Sequence, residues 1–233
     1  MAPKERAQEL RSGRLRVGLT QVEAASRLGL SQPYLSQLEC GRRRLTARVA
    51  RGMRRLYGLP ATSLPLPAEP SRRGAGADKL PGQLAALGYP GYGHVRASPA
   101  LNPAVVVLAA LSEDDLDARL SQALPWVLVR YPDLNWEWLL THVKLRNLQN
   151  RLGFLVAVSR EFAETHGEWS ASAEPLRKVE RDLDRARLAG ETTLCRETMP
   201  NAEREWLRTN RPPLAEHWNV LTSLSSRQLT DAA

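Results

Sequence analysis

Residues 19–41 read Leu-Thr-Gln-Val-Glu-Ala-Ala-Ser-Arg-Leu-Gly-Leu-Ser-Gln-Pro-Tyr-Leu-Ser-Gln-Leu-Glu-Cys-Gly, and no other stretch constrains the fold as tightly. Thr20 and Glu23 have the spacing of a capping box, in which the hydroxyl and the carboxylate satisfy each other's backbone donors at a helix start. Ala24, Ala25 and Leu28 follow at helical spacing, and Gly29 stops the helix because glycine enters the left-handed conformation freely. Ser31 caps a second helix with Leu35 and Leu38 inward and Gln32, Pro33, Tyr34, Ser36 and Gln37 outward. Arg42, Arg43 and Arg44 come directly after it. An ordinary helical hairpin accounts for the apolar spacing. It does not account for an amide-rich outer face beside a run of arginines, a combination that suits base edges in a DNA major groove.

The flanking sequence completes a helical module. Residues 4–17 fit a first helix, with Leu10, Leu15 and Val17 apolar and Gly18 as its stop. Gly13 weakens that helix by about 1 kcal/mol relative to alanine. Thr46 can cap a further helix carrying Val49, Ala50, Met53, Leu56 and Tyr57 on one stripe and ending at Gly58. Pro60 can open a short fifth helix through Leu64.

The pattern Leu-Thr-Gln-x-Glu-x-Ala-x-x-Leu-Gly-Leu-Ser, with Leu-Ser-Gln-Leu-Glu-x-Gly-Arg-Arg after it, resembles the Cro/phage-repressor (XRE) helix-turn-helix family over residues 8–65. The resemblance implies a five-helix, lambda-repressor-like DNA-binding domain. It implies a structural ion pair between Arg14 and Glu39, and base reading by the face bearing Gln32, Pro33, Tyr34, Ser36 and Gln37. Phosphate contacts are expected from Gln21, Ser31, Arg42, Arg43 and Arg44. Pro33 departs from the family's usual choice and cannot hydrogen-bond a base, which leaves apolar contact with thymine methyls. Tyr34 has two readings, contact with the nucleic acid and packing on a neighbouring helix.

Charge agrees with this reading. The chain of 233 residues has a net charge of +8. Residues 1–73 hold 15 Lys and Arg against 5 Asp and Glu, whereas the remainder holds 18 against 20. The positive charge therefore belongs to the helix-turn-helix region and points to a polyanion. A membrane surface is the poorer polyanion, because no basic amphipathic helix with a wide aromatic face occurs there. Cys40 and Cys195 show no disulfide or metal spacing and read as free thiols. The N-terminus is charged from Lys4, and the apolar run Ala104–Leu111 is too short to span a bilayer. A cytoplasmic, nucleoid-associated protein is expected.

The chain divides by composition into a DNA-binding domain at 1–65, a Pro/Gly-rich linker at 66–101 and an irregular helical bundle at 102–233, an all-α architecture throughout. The short apolar patch Leu80–Leu87 inside the linker is a candidate small helix. Asn102-Pro103 and Ser112 followed by Glu113-Asp114-Asp115 read as helix starts. Asn135 opens a long segment running to about Thr165, with a kink expected near Gly153. Further helices are predicted over 173–189, 201–210 and 213–224. Trp126, Trp136, Trp138, Trp206 and Trp218 read as core. The stripe Leu176, Val179, Leu183 and Ala186 is one surface that could hold two chains, or a partner, together.

The second half also resembles helix-turn-helix proteins thought to be antitoxins beside nucleotidyltransferase toxins. That likeness rests on Ala123-Leu124-Pro125-Trp126, on Tyr131-Pro132-Asp133-Leu134-Asn135-Trp136 and on residues Lys144 to Phe154. It implies a protein partner and carries over no site residue. His94, His142, His166 and His217 lack partners at metal-ligand spacing, and no nucleophile elbow, Walker loop or dinucleotide fingerprint is present. No catalytic residue, metal or cofactor is expected. The reading is a sequence-specific regulator, a repressor or autoregulator, acting on double-stranded DNA as a homodimer. The alternative is an antitoxin that neutralises a co-encoded toxin and represses its own operon. A third reading gives the second half a small ligand.

Overall fold

The computed structural model describes residues 3–70, 76–194 and 196–232. Cys195, and Gly74 of the segment assigned to the linker, lie outside them. The chain divides into two compact units. The first comprises Met1–Ala68 with Pro99–Asn102, and the second comprises Glu69–Ser98 with Pro103–Ala233.

The first unit holds α1 (Pro3–Arg16), α2 (Gln21–Leu28), α3 (Gln32–Glu39) and α4 (Ala47–Tyr57). The capping box forms, with Thr20 Oγ1 accepting from Glu23 N and the Glu23 carboxylate accepting from Thr20 N at 2.8 Å. Gly29 and Gly58 end α2 and α4 in the left-handed conformation, at φ 66 and φ 64. Ser31 and Thr46 cap α3 and α4 through their hydroxyls. The core gathers Leu10, Leu19, Ala24, Ala25, Leu35, Leu38, Met53, Tyr57 and Leu59. Leu15, in the last turn of α1, and Val17, just past its end, depart from expectation, being 57% and 41% exposed. Gly13 has a packing reason: a Cβ there would stand 2.9 Å from the Leu59 side chain. The fifth helix is only a 3-10 turn, Ala61–Ser63. Pro65 disfavours helical backbone at Leu64, which is extended. Asn102 Nδ2 donates to the carbonyls of Thr62 and Leu64, satisfying that end of the turn.

The second unit is helical, and it absorbs much of the segment assigned to the linker. α5 (Leu80–Leu87) buries Leu80, Leu84 and Leu87, and the Tyr131 hydroxyl donates to the Leu87 carbonyl at 2.8 Å. α6 (Pro103–Leu111) and α7 (Ala118–Arg130) follow. The predicted start at Ser112 is corrected. Ser112 Oγ donates back to Leu108 O, and α7 is capped by Asp117, which accepts from Arg119 N. The acidic residues between them tie loops instead. Glu113 accepts from Gly76 N, and Asp115 accepts from Thr198 N and Oγ1.

The long segment from Asn135 is two helices, α8 (Trp136–Lys144) and α9 (Gln149–Thr165). The break falls at Asn147, at φ 56, not at Gly153. Asparagine is among the few side chains that tolerate this conformation. Gly153 stays helical and seats the fully buried Trp218, whose ring fills the space a Cβ would take. Asn150 clamps the 188–190 turn, accepting from Leu188 N and donating to Leu188 O. Arg151 donates to Leu111 O, to Thr192 Oγ1 and to the Glu197 carboxylate.

α10 (Ala173–Asp184) stops short of 189 and lays Leu176, Val179 and Leu183 against α9, all three buried. That stripe is therefore core of its own unit, not a free surface for a second chain or a partner. α11 (Asn201–Asn210) matches its predicted span. α12 (Pro213–His217) ends early because Asn219 turns left-handed, at φ 53, into β2 (Val220–Leu221). β2 pairs in parallel with β1 (Thr192–Thr193). Trp206, expected in the core, is 57% exposed on α11. No helix among the described residues is long and apolar enough to cross a membrane.

Candidate nucleic-acid interface

α3 is set by its two ends. Ser31 Oγ accepts from Tyr34 N at 3.4 Å, and Pro33, in the first turn, has no amide hydrogen to leave unsatisfied. At the far end Gly41, at φ 69, lets Gly41 N reach Leu38 O and Arg42 N reach Gln37 O. Leu35, Leu38 and Glu39 face inward and are buried. Pro33 and Gln37 are exposed, while Gln32, Tyr34 and Ser36 are half-buried. Tyr34 packs its side chain on the core cluster, in line with the packing reading.

Behind this face runs a continuous polar relay. Arg14 grips Glu39 bidentately, Nε to Oε1 at 2.7 Å and Nη2 to Oε2 at 3.0 Å, and its Nη1 donates to Leu19 O. Both side chains are almost wholly buried, 7% and 1% exposed. Glu39 Oε2 also accepts from Gln21 Nε2 at 3.0 Å. Gln21 Oε1 in turn accepts from Gln32 Nε2 at 2.7 Å. The Tyr57 hydroxyl has no hydrogen-bond partner among the described residues, and its pKa is pushed up to about 12, first by burial and then by the Glu39 charge.

The relay determines what Gln32 can do. A glutamine amide has two donors and one acceptor oxygen. One donor is engaged by Gln21, which leaves the other donor and Oε1. That remainder is the complement of adenine N7 and N6 in the major groove. At the other end of α3, Gln37 Oε1 accepts from Arg43 Nε at 3.0 Å, so Arg43 is held against the same face. Arg42 and Arg44 are exposed beside it.

Six of the sequence-predicted residues are brought together in two hydrogen-bonded groups. Arg14, Gln21, Gln32 and Glu39 form one hydrogen-bonded chain, and Gln37 and Arg43 form a second pair. Ser31 acts as a helix cap, and Pro33 and Ser36 share the outer surface of α3. The links from Gln21 to Gln32 and from Gln37 to Arg43 are not legible in the sequence. The first spans eleven positions and the second six, so no helical or strand period joins their partners.

No curated protein and no solved structure matches the chain. Residues 7–65 match the family described as a helix-turn-helix domain, so this segment is a helix-turn-helix DNA-binding domain of the XRE/Cro type.

Proposed function

We propose that the chain is a sequence-specific transcriptional repressor that reads operator DNA with α3 and controls its own promoter. The observation that carries this reading is the tethered Gln32. A glutamine fixed by Gln21, itself fixed by the buried Arg14–Glu39 pair, loses little rotamer entropy when it reaches a base. Gln21, Ser31, Arg42, Arg43 and Arg44 then take phosphates on either side and set the register. A single module covers one half-site, so operator affinity calls for two chains on half-sites about 34 Å apart.

The operator is first selected from random duplexes by the full chain. Gln32→Ala should then cost roughly 1–3 kcal/mol on that operator and little on random DNA. Equal losses on both duplexes would reduce Gln32 to a positioning residue. A reporter driven by the chain's own promoter tests the sign of regulation, with repression expected and activation refuting it.

A further inference from the structure

The first unit carries a groove of about 740 Å³ that DNA reading by α3 does not use. It runs between the end of α2, the Gly29–Leu30 turn and one side of α4. Leu28, Leu30, Val49 and Leu56 line it, all partly buried extensions of the core. Three guanidinium groups stand around it, those of Arg27, Arg48 and Arg55, and all three residues are exposed. No acidic residue lines the groove, and none of the three arginines makes a hydrogen bond or ion pair among the described residues. Glu23, one turn back on α2, is the carboxylate whose charge Arg27 influences. Gly52 sits at the floor, where a Cβ would press on Leu28 at 3.3 Å. A glycine inside a helix weakens it relative to alanine. Here it lets α2 and α4 approach, and it leaves the floor of the groove without a side chain.

We propose that this groove docks an acidic, amphipathic segment of a partner protein, with aliphatic side chains on the floor and carboxylates on the three arginines. Charge complementarity selects the occupant. A second copy docked through the same groove about a two-fold axis would bring the same three arginines against these ones. A nucleic-acid backbone would use the guanidinium groups but not four aliphatic side chains, whose burial favours only an apolar ligand. An amphipathic acidic helix uses both, in the manner of helix-in-groove recognition. Such a contact gives a DNA-bound chain a means of recruiting a second protein.

The test uses the full chain, labelled with ¹⁵N, and a synthetic peptide of roughly 15 residues with Leu on one helical face and Glu elsewhere. The peptide should shift the amides of Leu28, Leu30, Val49, Gly52 and Leu56. A scrambled peptide of the same composition should bind roughly tenfold more weakly. The R27E/R55E variant should lose binding to the acidic peptide by roughly tenfold or more and gain binding to a Lys-for-Glu peptide. The far-UV circular dichroism and dispersed amide spectrum of that variant serve as the check on folding. Equal binding of the scrambled peptide, or shifts centred on Arg42–Arg44, would reduce the effect to general polyanion attraction and overturn the proposal. Shifts at the groove amides produced by a short duplex, and not by the peptide, would overturn it in favour of a phosphate contact.

Discussion

The buried pair of Arg14 and Glu39 gives the sharpest test of how the reading face is held. Glu39→Ala removes the acceptor of two Arg14 bonds and one Gln21 bond at a site where both charged side chains are nearly dry. Arg14 keeps only its bond to Leu19 O. Deleting one partner of a buried pair leaves an uncompensated charge and costs about 3–5 kcal/mol. The retained Leu19 bond argues for the lower end, about 3 kcal/mol. For a domain of this size that corresponds to a fall in Tm of about 12–24 °C. Replacing both partners with methionine should cost far less, because buried pairs exchanged for apolar residues of similar volume are often near neutral. The molecule supplies its own assay. All six tryptophans lie at or beyond Trp126, so tryptophan fluorescence reports only the second unit, while far-UV circular dichroism reports both. Glu39→Ala should lower the dichroism transition of the first unit and leave the fluorescence transition in place. A double variant less stable than Glu39→Ala would refute the argument, since the pair would then be a net source of stability and not a device for orientation. The methionine pair should also weaken operator discrimination, because Gln21 loses the anchor that holds Gln32.

Three further outcomes are expected. Arg42→Ala with Arg43→Ala should lower the slope of log binding constant against log salt by about 0.9 for each phosphate no longer neutralised, read by filter binding, and an unchanged slope would remove these arginines from the phosphate set. Gly153→Ala should destabilise the second unit by about 1–3 kcal/mol or more, seen in the tryptophan transition, because the new methyl overlaps the Trp218 ring. Glu191 is held below the usual carboxylate range by the hydrogen bonds it accepts from Arg208, with the charge of Arg211 assisting. A depressed folded pKa means stability that is present above the unfolded value and lost as pH falls through the folded one. Glu191→Gln should therefore lower the Tm at neutral pH, and the difference from the parent should shrink as pH falls through the depressed folded pKa.

The first unit is legible because its signals are local. Thr20 with Glu23, Ser31, Thr46, Gly29 and Gly58 each act within four residues, and each does in the structure what its chemistry requires. Arg14 and Glu39 are legible through the family resemblance, since 25 positions separate them and no periodicity joins them. Leu15 and Val17 show the limit of counting apolar residues: helical spacing says which residues share a face, not whether another element covers that face. In the second unit the decisive contacts are long-range. Ser112 resembles a cap, but a helix start depends on which acceptor the following amides find, and Asp117 provides it. Gly153 resembles a kink because glycine weakens helices. Its role is to make room for the ring of Trp218, far along the chain.

The segment from Lys144 to Phe154 also bears on which part of the second unit is free for recognition. Its most polar residues are committed to the fold. Asn147 makes the left-handed turn between α8 and α9, Asn150 holds the turn at 188–190, and Arg151 ties α9 to Leu111, Thr192 and Glu197. Arg146 donates to Ser112 Oγ and to the Pro70 carbonyl. These bonds satisfy loops that lack regular partners, and removing the buried arginine would leave several carbonyls unsatisfied. A run of basic and amide residues on a helix therefore marks an interface only where the side chains remain uncommitted. By that criterion α3 qualifies, through the donor and acceptor that Gln32 keeps beyond its bond to Gln21 and the amide donors that Gln37 keeps beside its bond from Arg43, and the middle of the second unit does not.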